Sequence, residues 1–93
     1  MIKNQKYNEN QLHLNQYSNG QLAVYLLGQT GEPIAELSIM HDSVELALNE
    51  FVLKDYSENS DLATELLESN LIVSTDRYIL IGSHLCPICQ VIS

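Results

Sequence analysis

Ninety-three residues, with twelve acids against four bases and a formal charge of −8 at pH 7, describe one small acidic domain near the lower end of the usual size range. A chain this short buries only roughly 60% of its unfolded surface, so one core leaves little room for a deep substrate cavity, while an apolar share of 45% is enough for that core and argues against full disorder. Carboxylates repel phosphate, so direct contact with nucleic acid or an anionic membrane surface is not expected, and basic protein surfaces are the natural partners; acidity also serves solubility by itself.

Residues 1–10, rich in Asn, Gln and Lys, read as a mobile leader, and residues 11–93 as the single domain. The opening residues are polar and lack an apolar h-region, so no signal peptide is expected, and no stretch approaches the roughly 18–20 apolar residues of a membrane span. Leu12 and Leu14 alternate with polar neighbours, a weak strand signal. Ser18-Asn19-Gly20 is turn chemistry, because Asn and Gly tolerate positive φ. Residues 21–27 form a second strand, apolar on both faces and therefore central or covered behind. Gly28-Gln29-Thr30-Gly31-Glu32-Pro33 is a compact turn, and residues 34–41 return as the other arm of a hairpin. Residues 42–49 fit either a strand or a short helical turn, and residues 50–53 a short strand.

Ser57-Glu58-Asn59-Ser60 supplies turn and N-cap residues for a helix over residues 61–69. Its stripe of Leu62, Ala63, Leu66 and Leu67 faces inward, and Asp61, Thr64, Glu65 and Glu68 face away. Asn70 is a natural stop. Residues 71–74 and 78–81 are apolar runs on either side of Thr75-Asp76-Arg77, and residues 85–92 are the last apolar stretch. The expected fold is α+β, an antiparallel sheet of four or five strands with one short helix packed on it.

The net charge falls almost wholly in the middle of the chain. Residues 1–30 carry Lys3, Lys6 and Glu9, a net of +1; residues 31–68 carry ten acids against Lys54, a net of −9; beyond them Asp76 and Arg77 cancel. On the helix, Asp61, Glu65 and Glu68 at i, i+4 and i+7 line one face, at a cost of roughly 0.2–0.5 kcal/mol per like-charged pair. With Asp55 and Glu58 they are the candidate partner-binding residues; a merely solvated face is the simpler reading.

No catalytic set emerges, and the chain reads as a non-enzyme. The three histidines are scattered, Ser38, Ser43 and Ser83 lack a nucleophile-elbow context, and Gly28 and Gly31 flank a turn rather than open a helix, so they are not a phosphate cradle. His84-Leu85-Cys86-Pro87-Ile88-Cys89 invites a zinc reading, but a four-ligand structural site needs His13 or His41 from across the fold, and in an extended segment residues three apart point to opposite faces. Neither metal nor cofactor is therefore expected, and both cysteines read as packing residues. Two cysteines this close cannot staple a secreted scaffold, which makes a cytoplasmic location the expectation.

Several stretches carry a family resemblance: Asn19-Gly20-Gln21-Leu22-Ala23-Val24; Gly31-Glu32-Pro33-Ile34-Ala35-Glu36-Leu37-Ser38-Ile39; Leu48-Asn49-Glu50-Phe51-Val52; Leu62-Ala63 with Leu66-Leu67; Thr75-Asp76-Arg77; and Cys86-Pro87-Ile88. With these in order over residues 19–89, the chain resembles a family of small bacterial, plasmid and phage proteins known as domain of unknown function 4313. Its motifs are turns and core strands. Members typically end on an aromatic-Pro-aliphatic-aromatic strand where this chain has Cys86-Pro87-Ile88-Cys89, which implies packing for the cysteines. The resemblance implies life on mobile elements inside a bacterial host cell. It points to a counter-defence inhibitor, anti-CRISPR-like, that occupies a basic, nucleic-acid-handling surface of a host protein or nucleoprotein complex. The competing reading is a non-inhibitory adaptor or dimerising accessory protein, for which a homodimer is the natural form.

Overall fold

The computed structural model describes Tyr7 and residues 9–92. Its elements in chain order are a 3-10 turn at Glu9–Gln11, then β1 (Leu12–Gln16), β2 (Leu22–Leu27), β3 (Pro33–Glu36), β4 (Ser38–Ile39) and β5 (Glu50–Leu53), a 3-10 turn at Ser57–Asn59, helix α1 (Ser60–Glu68), β6 (Ile72–Ile81) and β7 (His84–Val91). The class is α+β, with antiparallel pairing throughout and one short helix. The strands divide into two sheets rather than one, ordered β1-β2-β3 and β4-β5-β7-β6.

The division happens at Leu37. This fully buried residue donates its N–H to Val24 O at 2.8 Å, and its carbonyl accepts Lys54 N–H at 2.8 Å. One extended segment thus pairs with β2 before Leu37 and with β5 after it. Where the ladder turns away, Ser38 Oγ accepts the buried Val24 N–H at 2.8 Å, and Tyr17 Oη reaches both the Ser38 hydroxyl and the Glu36 carboxylate. A serine and a tyrosine thereby stand in for missing backbone partners, which buried amides require.

Two hairpin turns share one construction. Gly20 N–H bonds Tyr17 O, and Gly31 N–H bonds Gly28 O; Gly20 and Gly31 hold φ of 88° and 89°, the left-handed residue that ends a three-residue hairpin loop. The β6–β7 hairpin closes on Gly82-Ser83, between the paired Ile81 and His84, with Gly82 at φ 62°. The apolar runs around Thr75-Asp76-Arg77 are a single ten-residue strand carrying a bulge. Ser74 faces Cys89 and Arg77 faces Ile88, Asp76 takes φ 64°, and Thr75 Oγ1 donates to Ile88 O at 2.7 Å.

Alternation along β5 and β7 feeds two cores. Phe51, Leu53 and Cys89 join Val24, Leu26, Leu37, Ala63, Leu66 and Ile72 in the main core between the two sheets and the helix. Val52, Cys86 and Ile88 face the other way, into a smaller core closed by Ile39, Val44, Leu46, Tyr56, Ile79 and Ile81. Residues 42–49 form neither strand nor helix; they are the irregular cover of this second core. Of the stretch read as a leader, residues 1–6 and 8 lie outside the described residues, while Tyr7 packs into the main core; just beyond it, Gln11 donates through Nε2 to Leu27 O at 3.0 Å.

Candidate functional site

The acidic middle of the chain spreads over separate pieces of surface, the loop over the second core and the helix over the main one. The loop before β5 carries exposed Asp42 and Glu45, the turn before the helix carries exposed Glu58, and the helix carries exposed Asp61 and Glu68. The loop is held rigidly. Gln21 accepts His41 N–H at 2.9 Å through Oε1 and donates through Nε2 to His41 O and Val44 O, while Asn19 Nδ2 donates to Asp42 Oδ1 at 2.9 Å. Between this loop and the first turn lies a shallow cleft lined by Asn19, Gln21, Asp42, Val44, Glu45 and Leu48.

The five sequence-predicted partner residues do not behave alike. Asp61 and Glu68 are exposed on the helix, whereas Glu65 between them is half-buried, because a nine-residue helix lying on two sheets turns more than its narrow apolar stripe inward. Glu58 is exposed but takes Lys54 Nζ at 2.9 Å; the lysine's hydrogen bond holds the Glu58 carboxyl below its ordinary range. Asp55 is turned away from the helix and meets His84, Oδ1 to Nε2, at 2.8 Å.

Both cations among the described residues are engaged, Lys54 with Glu58 and Arg77 with Glu50 at 3.1 Å. Arg77 also donates to Glu45 O at 3.0 Å, and Glu50 Oε1 accepts Ala47 N–H at 2.9 Å. This pair pins the acidic loop over the second core. Lys54 and Arg77 are the only lysine and arginine among the described residues.

A second constellation is one that sequence reasoning missed. Strand alternation puts His84 and Cys86 on one face of β7, and the chain leaving β5 brings Asp55 alongside. The Asp55 carboxylate, His84 imidazole and Cys86 sulfur all lie within 4.8 Å of one another. The Tyr56 ring packs on the imidazole with centroids 4.8 Å apart. Cys89 is on the opposite face, as extended geometry dictates for residues three apart, and takes no part. Burial, seconded by the negative charge of Asp55, raises both thiols, Cys89 to about 12. A buried thiol whose pKa is pushed up in this way is a poor nucleophile. The sequence signal that could have found the trio is the His-x-Cys spacing in a strand.

No helix among the described residues is long and apolar enough to cross a membrane. Compared with protein-family models, curated proteins and solved structures, the chain matches none.

Proposed function

We propose that this chain is an acidic protein-binding module that occupies a basic, nucleic-acid-handling surface of a host protein or nucleoprotein, acting as a counter-defence inhibitor carried by a phage or other mobile element in the bacterial cytoplasm. One observation carries the reading. Exposed acids of residues 31–68 include Asp42 and Glu45 on a pinned loop and Asp61 and Glu68 on a short helix, and the two described cations are already spent on Glu58 and Glu50. A surface of this kind offers fixed negative charge to a Lys- and Arg-lined groove, which normally holds phosphates, at no cost in loop ordering. The resemblance to a family of mobile-element proteins supplies the biological setting, by analogy alone.

The working residues are Asp61 and Glu68 with Asp42 and Glu45. Glu58, Glu65 and Asp55 contribute less, since Lys54 neutralises Glu58 and Glu65 and Asp55 are half-buried. The test is plasmid transformation into cells whose CRISPR–Cas system targets that plasmid, with and without this chain. Restored transformation that is lost in Asp61→Lys with Glu68→Lys, the double variant being folded, is the expected outcome. Binding to the effector should weaken steeply with salt, because exposed pairs are screened beyond about 8–10 Å, and target nucleic acid should compete. Salt-independent binding together with an unaffected double reversal would overturn the electrostatic reading.

The alternative, a non-inhibitory adaptor or dimerising accessory protein, is favoured by a different feature. Tyr78, Leu80 and Leu85 are exposed at 57%, 62% and 58% where the β6–β7 hairpin runs past the main core. Leu80 and Leu85 are cross-strand neighbours, so they form one apolar tip in the only third of the chain with no net charge.

A further inference from the structure

We propose that Asp55, His84 and Cys86 form a divalent-metal site of zinc type, in which a carboxylate oxygen, an imidazole nitrogen and a thiolate sulfur take three tetrahedral positions and solvent takes the fourth. This proposal is independent of the acidic-surface reading and reverses the expectation of no metal drawn from sequence, which weighed Cys86 together with Cys89.

The donor set comes first. Zinc accepts carboxylate, imidazole and thiolate ligands, and three protein ligands plus an open position is a recurrent arrangement. Magnesium and calcium, which want oxygen donors alone, are excluded by the sulfur and nitrogen. Geometry follows. Ligands held at zinc distances in a tetrahedron stand roughly 3.3–3.6 Å from one another. The three donor atoms already lie within 4.8 Å of one another, and Asp55 Oδ1 and His84 Nε2 at 2.8 Å need only part by about half an ångström. Small χ rotations inside existing rotamer wells supply such shifts.

The fold holds these donors in place. His84 and Cys86 share a face because strand side chains repeat every two residues, and β6 pairs with β7 at both positions, while β5 pairs with it further along, at residues 88–90. The cross-strand partners of Cys86 and His84 are Ile79 and Ile81, which with Val52 and Ile88 make an apolar back wall. Tyr56 fixes the plane of the imidazole. The His84 and Asp55 side chains are 45% and 28% exposed, so an ion is captured first by these two at the surface, with the fully buried Cys86 sulfur behind them. As the sulfur–metal bond forms, the thiol proton leaves to solvent.

Cobalt(II) chloride is the probe, titrated into the purified full chain. A thiolate-to-cobalt charge-transfer band in the near ultraviolet, saturating at one equivalent and abolished by added zinc, is expected. His84→Ala and Asp55→Asn change half-exposed side chains and should leave the fold intact by circular dichroism. Each should weaken cobalt binding at least about 100-fold, since losing even an outer-shell partner of a ligand commonly costs 10–100-fold. Cys86→Ser should abolish the band. Absence of the band at millimolar cobalt would overturn the proposal, and so would its persistence at unchanged affinity in His84→Ala. Loss of the band in Cys89→Ala, with that variant folded and Cys86 intact, would equally do so.

Discussion

At the scale of single residues, Tyr17 shows how a polar group is recruited to hold a fold at its weakest point. Its hydroxyl sits where the chain passes from one sheet to the other, beside the Glu36 carboxylate and within 2.8 Å of the Ser38 hydroxyl. Burial raises the phenol well above its ordinary 10.0, and the hydrogen bond to Glu36 adds to that rise. A group that keeps its proton more tightly in the folded chain than in the unfolded one contributes stability that is complete below the unfolded value and declines as pH climbs past it. Tyr17→Phe should therefore be destabilising at pH 7, by the roughly 0.5–1.5 kcal/mol of a net hydrogen bond. The stability gap between variant and wild type should narrow above about pH 10, because only the wild type loses the contribution of this proton. Urea titrations of both proteins from pH 7 to 11 measure this; a gap that widens with pH would contradict the assignment.

At the scale of elements, α1 depends on packing far more than on its own propensity. Nine residues is below the length at which an isolated helix persists in water. Asn59, at the N-cap, gives its side chain away to Glu36 O at 2.8 Å instead of capping the helix. What holds α1 is Ala63 and Leu66 in the main core. Leu66→Ala should then cost on the order of 2–5 kcal/mol, a large part of the roughly 5–15 kcal/mol available to a domain. A fall in melting temperature of more than about 10 °C should follow. Leu80→Ala, at an exposed position, should change it little. Equal effects of the two substitutions would mean that the helix does not seal the core.

For the whole molecule, charge is the dominant global property. A formal −8 makes the compact state repel itself, and the ion pairs Lys54–Glu58 and Arg77–Glu50 are too few to offset it. Salt screens both kinds of interaction, and repulsion predominates here. Raising sodium chloride from low to moderate concentration should therefore raise the melting temperature. Asp61→Lys with Glu68→Lys changes the formal charge from −8 to −4, two charges for each substitution, and should both stabilise the fold and flatten its salt dependence. The helix dipole favours a cation at position 68 by roughly 0.3–1 kcal/mol and disfavours one at position 61, in the first turn, by a similar amount, so the stabilisation comes from the lower net charge. Thermal melts across a salt series check this, and a wild-type melting temperature that falls with salt would show that the ion pairs outweigh the repulsion. If the stabilised double variant also loses inhibition, the acidic surface serves the chain's working at the expense of its stability.

Local regularities are legible in the sequence by itself. The alternation of residues 22–27 and 50–53, the apolar stripe of Ala63 and Leu66, and the turn glycines Gly20 and Gly31 each announce an element, because side-chain period and permitted φ are properties of a few consecutive residues. The α+β class follows from them, and so does the placing of Cys86 and Cys89 on opposite faces. Other features were decided by the tertiary structure alone. Leu37 divides one extended segment between two sheets because of which strands lie on either side of it. The residues around Asp76 join two apolar runs into one bulged strand because β7 pairs with both. Asp55 leaves the acidic surface for His84 across 29 positions of sequence, and Glu65 sinks beside the core while Asp61 and Glu68 do not. Each depends on strand register and on how elements dock, and these are set by contacts between distant residues that no window of the sequence contains.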